Sequence, residues 1–327
     1  TKINHMSKKV TYNPFFIVML LLFVLQVHGQ HSTDKQILWT ADWSSDGKMI
    51  AIGGNVDTLK IYKAKYLDLI KFFPIANTIT CAIWHPTKNI LAVGTQGSSD
   101  KPFIINVGTG VKKELIGVSP DGARGVDWNH TGEYLAIADN DGQISIFDID
   151  GCFIKKINHE NTKGITAIDW HPKKNIFATV GDKIRIFDIG GSLLKTISHR
   201  KEGTLLLTVA WHPSGSFFAT GDYGEDENDY PSLLQFWSEN GDLLMTNAIS
   251  KGEYRNIRWN KKGTRLASAS DALRIWDIKG NLLTEGLSDD YLWGLSWHKK
   301  GNRIVTSSKK EEVVIWDNKG RRKQVFK

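Results

Sequence analysis

The chain has 327 residues, of which 41% are hydrophobic and 24% charged, with a formal net charge of +7. These proportions are ordinary for a globular protein, and a ring or array of about 300 residues can form a single domain. No Gly/Ser-rich linker, heptad run or low-complexity tract interrupts the chain after residue 37, so nothing points to a second domain.

The N-terminal stretch reads differently from the rest. Lys8 and Lys9 precede an apolar run, Phe15 to Leu25, and Val27-His28-Gly29 precede Gln30. This is the layout of a secretory signal peptide, with residues 1–29 removed and residues 30–327 as the mature domain, periplasmic or extracellular. An apolar run of eleven residues is too short for a bilayer, which needs about twenty. An uncleaved anchor is the alternative, but no stable membrane insertion is expected after cleavage. Losing Lys2, Lys8 and Lys9 takes 42 basic residues to 39 against 35 acidic ones, a mild excess of +4. The densest basic cluster, Lys319 to Lys323 with Lys327, falls on an expected outer edge strand, where such residues guard against edge pairing. Without a concentrated basic face, no nucleic-acid partner is expected.

From residue 37 onward a tryptophan recurs, at Trp43, Trp84, Trp128, Trp170, Trp211, Trp259 and Trp297, with gaps from 38 to 48 residues. A period near forty signals a propeller or solenoid. Around Trp170 the repeat holds four short runs, ending at Trp170, Thr179, Asp188 and Ile197. They are β-branched, aromatic and alternating, and are separated by Gly, Pro, Asn or Asp, the signature of a four-stranded antiparallel meander. One meander cannot bury both faces; copies stacked radially bury them against each other, and closing the ring leaves few free edges. Seven copies predict an all-β, seven-bladed β-propeller. Arg321 to Phe326 supplies the last blade with its own outer strand, which predicts closure by packing of blade 7 on blade 1.

The third strand of the repeat ends in Trp276-Asp277 and Trp316-Asp317, with Phe147-Asp148 and Phe187-Asp188 as near copies. Asp57, Asp141, Asp182 and Asp271 occupy the tight turn before that strand. In these features residues 37–327 resemble the WD-repeat family of β-propellers, as an exported bacterial-type member. The resemblance implies a scaffold used mainly for interactions. The Gly-His pair that the family places ahead of the first strand has counterparts only in His159 and His199.

Candidate chemistry is sparse. His85, His171, His212 and His298 each follow an anchor tryptophan, one per blade around a wide rim, which suits turn residues rather than a shared metal. Asp42, Asp127 and Asp169 stand just before anchors, facing the channel, with Arg258 at the same place in blade 6; ion pairing there is favoured over an enzyme's carboxylate pair. Cys81 and Cys152 look too far apart for a disulfide. Longer loops separate the second and third strands in blade 2, Gln96 to Lys101, and blade 5, Asp222 to Pro231, as two walls beside the channel mouth. The second holds Asp222, Glu225, Asp226, Glu227 and Asp229, enough oxygens for calcium but in no calcium-loop spacing. No catalytic residue, metal or cofactor is therefore assigned.

Of 12 tryptophans only Trp39 and Trp293 lie outside the repeat. Each stands four residues before an anchor, in the first and last blades, which ring closure makes neighbours. The equivalents are Thr80, Arg124, Thr166, Leu207 and Arg255, at the start of the innermost strand and near the mouth. Trp39, Arg124, Tyr254, Arg255, Tyr291 and Trp293 together carry the residue types that dominate interface hot spots. They suggest a non-enzymatic platform for a protein or peptide. The two tryptophans equally suit packing at the seam. A carbohydrate or small-metabolite site is the alternative function, and an enzyme using the channel carboxylates a third.

Overall fold

Each anchor tryptophan closes an innermost strand: Thr40–Trp43, Thr78–Trp84, Ala123–Trp128, Ala167–Trp170, Leu206–Trp211, Asn256–Trp259 and Leu292–Trp297. The computed structural model describes residues 36–119, 121–159, 164–199, 204–224 and 231–326. These form 28 strands in seven four-stranded antiparallel sheets, each taken from one unbroken stretch in the order of the sequence. The fold is the expected seven-bladed propeller. The proposed leader, residues 1–29, lies outside the described residues, as do Glu225 to Asp229 of the acidic loop and Lys327.

Seven hydrophobic clusters fill the seven seams, because each blade buries one face against each neighbour. Leu59 and Ile61 of blade 1 pack with Ile79, Leu91 and Phe103 of blade 2. Ile50, Ile52 and Tyr62 pack on the other side with Val305, Val313 and Ile315 of blade 7. The outer strands form the perimeter, so Leu193 and Leu194 of Leu193–Ile197 are exposed.

The repeat's aromatic–Asp pair has two separate jobs. The aromatic ring goes inward, where Trp237, Trp276 and Trp316 donate their indole N–H to Thr220, Ser268 and Thr306 at 2.9, 3.0 and 2.8 Å. The aspartate stays at the rim and holds the following turn. Oδ1 of Asp148, Asp188, Asp277 and Asp317 accepts the backbone N–H four residues later, at 2.7 to 3.0 Å. His159 bonds Thr179 of the next blade at 3.0 Å, and His199 faces Gln235 and Asp222 of blade 5. In blade 6 Ser250 takes the corresponding part, bonding Ser270 at 2.6 Å and Asp271 at 2.8 Å.

Closure requires no exchanged strand. Blade 7 is completed by Arg322–Phe326, whose Phe326 ring lies 5.0 Å from Tyr62 of blade 1. Leu38 N–H donates to the Ser308 carbonyl at 3.1 Å, and Ser307 Oγ donates to the Leu38 carbonyl at 2.8 Å.

Candidate functional site

The position four residues before each anchor sits where an innermost strand begins, so seven such side chains encircle one end of the channel. All seven, Trp39, Thr80, Arg124, Thr166, Leu207, Arg255 and Trp293, line one cavity of about 110 Å³. Trp39 and Trp293 meet across the seam with ring centroids 4.8 Å apart and planes at 54°. The Arg255 guanidinium lies 4.0 Å from the Trp293 ring centre, and that of Arg124 lies 5.5 Å from Trp39. The result is an arc, Arg255–Trp293–Trp39–Arg124, in which both tryptophans are half-buried. The pair joins blades 7 and 1 and also walls the cavity, so its two expected roles are compatible.

Charge on this arc is uneven. Arg255 is paired with Glu253. Among the described residues Arg124 has no ion pair, and burial together with the nearby Arg255 pushes its pKa down. Three buried donors, the indole N–H groups of Trp39 and Trp293 and Nε of Arg124, have no acceptor among the described residues.

The tyrosines depart from expectation. Tyr254 is fully buried, packed against Gly221 and within the core between blades 5 and 6, so it presents no surface to a partner. The physical reason is alternation: Arg255 faces the channel, and its sequence neighbour is turned into the interblade layer. Tyr291 is 42% exposed but lies on Gly252 and does not line the cavity. Tyr223 was not anticipated; it comes from the long loop of blade 5 and places its ring 6.0 Å from the Arg255 guanidinium. Its position in that loop was the available signal. Glu253, two residues before Arg255, was also missed.

Deeper in the channel the three aspartates fasten each blade to the next. Asp42, Asp127 and Asp169 accept the backbone N–H of Trp84, Trp170 and Trp211 at 3.1, 2.8 and 2.7 Å. Ser296 does the same for Trp43 at 3.3 Å, across the closing seam. Burial raises the pKa of all three carboxyls, and the proximity of Asp169 raises Asp127 further, while Arg258 opposes the shift in each case. Cys81 lines the same cavity, and burial pushes its thiol up to about 12; Cys81 and Cys152 are both free. A second cavity of about 240 Å³ is lined by Asp42, Asp127, Arg258, Lys261 and Lys299.

The four rim histidines have a role beyond the turn. His85, His171 and His212 donate Nε2–H to the carbonyls of Gly132, Gly215 and Gly263 in the following blade, at 3.1, 3.1 and 2.7 Å. His298 packs on Gly47 in the same way and closes the ring. Each imidazole also meets the next anchor edge-on, with centroids 4.7 to 5.0 Å apart. Burial depresses the pKa of all four. Asp222, counted among the acidic side chains of the blade 5 loop, is buried: Oδ1 accepts from Gly224 and Leu233 at 3.1 and 2.7 Å, and Oδ2 faces His199. It belongs to the blade, not to the loop surface. In the basic cluster Arg321 and Lys323 pair with Asp317, and Arg322 with Asp289.

Comparison with known proteins agrees with this architecture. Residues 119–173 match the family described as the anaphase-promoting complex subunit 4 WD40 domain, and residues 191–228 match the WD domain, G-beta repeat. The anaphase-promoting complex subunit cdc20 of Dictyostelium discoideum is 23% identical over 269 residues, covering 79% of this chain and 51% of that protein. The chain thus spans about half the length of that relative.

Proposed function

We propose that this WD-repeat propeller is a non-enzymatic platform that binds a protein or peptide over the channel mouth. The observation that carries the proposal is the arc of two tryptophans and two arginines, gathered from blades far apart in sequence. Trp and Arg are the side chains most enriched among residues that dominate binding energy. Support also comes from the similar Dictyostelium protein, whose name describes a subunit of a larger complex. A sugar would need an open aromatic face to stack on. One Trp293 face is covered by Arg255 at 4.0 Å and the ring is tilted against Trp39 at 4.8 Å, which favours a polypeptide over a carbohydrate.

The test uses the full chain as bait in an extract of the native host, beside Trp39→Ala/Trp293→Ala and Trp39→Phe/Trp293→Phe variants checked for retained fold by circular dichroism. A protein captured by the parent and lost from the alanine variant supports the mouth as the binding face. The same partner retained by a folded alanine variant overturns it.

Export to a bacterial-type periplasm or the exterior is part of the same proposal and rests on the layout of residues 1–29. Mass spectrometry of the protein from its host should find Gln30 as the first residue. A mature chain retaining Phe15 to Leu25 would overturn cleavage.

A further inference from the structure

The unpartnered hydrogen-bonding groups at the mouth are mostly donors. The hydroxyls of Thr80 and Thr166 are engaged by the carbonyls of Ala123 and Leu206. The carboxylates of Asp42, Asp127 and Asp169 accept from neighbouring blades, and the charge of Arg258 acts on all three. Glu253 accounts for Arg255. What remains is the cation Arg124, with three donors without acceptors, on Arg124, Trp39 and Trp293, against one acceptor without a donor, Oδ1 of Asn256. A buried donor without an acceptor is costly, and a buried guanidinium more so, which makes the site complementary to a small anion rich in acceptors.

We propose that the mouth takes the side-chain carboxylate of a glutamate within a partner polypeptide, with Arg124 as its counter-ion. This rests on the mouth being a protein-binding face, and it assigns the chemistry of what enters. The size fits, since about 110 Å³ is room for one side chain. Depth favours glutamate over a chain terminus. Trp39 and Arg124 are half-buried, so a carboxylate reaches them best on a spacer. The two methylenes of glutamate supply that spacer and pack against the Trp39–Trp293 pair. Arg124 reaches Trp39 over the short side chain of Thr80, which leaves its cation close to the aromatic wall.

The test titrates the full chain, at low and high salt, with three short acetylated probes, following tryptophan fluorescence. The first is an acetylated, amidated glycine peptide with one central glutamate. The second carries glutamine there, and the third has a free C-terminal carboxylate and no acid. The glutamate probe is expected to saturate at millimolar concentration and to bind about tenfold or more tightly than glutamine, weakening as salt rises. Arg124→Gln should abolish that preference, and Arg124→Lys, which keeps the charge but not the fork, should restore part of it. A glutamine probe that binds as well as glutamate, a terminal carboxylate that binds more tightly, or an unaltered preference in Arg124→Gln would each overturn the proposal. If no probe binds while the tryptophan variant still loses its captured partner, the carboxylate inference fails and the platform stands. If the folded tryptophan variant keeps that partner, the platform itself fails.

Discussion

Asp127 and Trp170 exchange two hydrogen bonds across the seam between blades 3 and 4. The Asp127 carboxyl accepts the Trp170 backbone N–H at 2.8 Å, and the Trp170 indole N–H donates to the Asp127 carbonyl at 3.1 Å. Trp84 and Asp42 repeat the arrangement between blades 1 and 2, at 3.1 and 3.2 Å. The anchor is therefore a bridge between sheets as well as a core side chain. Asp127→Ala leaves a buried backbone donor unsatisfied and is expected to cost about 1–3 kcal/mol, while Asp127→Asn keeps an acceptor there and should cost less than about 1 kcal/mol. Urea unfolding of both variants checks this; equal losses would mean that the acceptor is not what matters.

The same carboxyls set a pH dependence. Their folded-state pKa values lie above the unfolded value of about 4, and burial takes Asp169 to about 6. A raised acid binds more protons when folded, so its stabilisation is present below about pH 4 and is lost as pH rises through about 6. The buried histidines run the other way: their pKa values are depressed, that of His159 to about 4 by burial, and stability falls as they are acidified below about pH 6.5. Asp169→Asn removes its own part of the carboxyl contribution, lessens that of Asp127, and leaves the histidines as they are. Relative to the parent, the variant should gain stability between about pH 4 and pH 7, as measured by melting temperature. A constant offset across that range would show that the carboxyl does not titrate there.

Gly132 has a φ of 77°, and a Cβ placed on it would overlap the His85 imidazole. Gly132→Ala therefore combines backbone strain with displacement of a bridge between blades 2 and 3, and should cost about 1–3 kcal/mol. In a His85→Ala background the overlap disappears and only the strain remains. A double-mutant cycle measures the difference, and strictly additive losses would deny the coupling.

Phe326 closes the outer edge of the seam against Tyr62 at 5.0 Å. Because Phe326 is only half-buried, Phe326→Ala is expected to cost about 1–2 kcal/mol, less than a fully buried phenylalanine would. Deleting residues 321–327 should lower the melting temperature of the whole ring in a single transition. An unchanged melting temperature would mean that the last strand does not hold the closure together.

The blade count, the strand order and the closure were legible because the tryptophan period and the four-run pattern repeat seven times, and period-two alternation specifies which face is buried. Trp39 and Trp293 stood out as the two tryptophans the repeat does not require, and the structure brings them into contact. Tyr254 was misplaced because nearness to Arg255 in sequence says nothing of the face occupied: one step along an extended chain reverses it. The histidine bridges were hidden for another reason. Their partners are backbone carbonyls 44 to 51 residues away, and a carbonyl leaves no mark in an amino-acid sequence.

A ring whose seven sheets each come from one unbroken stretch, joined by side-chain bridges that repeat from blade to blade, is also a ring that can be edited in whole units. Duplicating or losing one repeat of about forty codons would leave no sheet short of a strand. Where a ring closes by exchanging a strand, one repeat is split between the two ends and cannot be copied in phase with a blade. Here the unit of inheritance and the unit of packing coincide, and residues at the mouth can differ from blade to blade, as Trp39, Thr80 and Arg124 do.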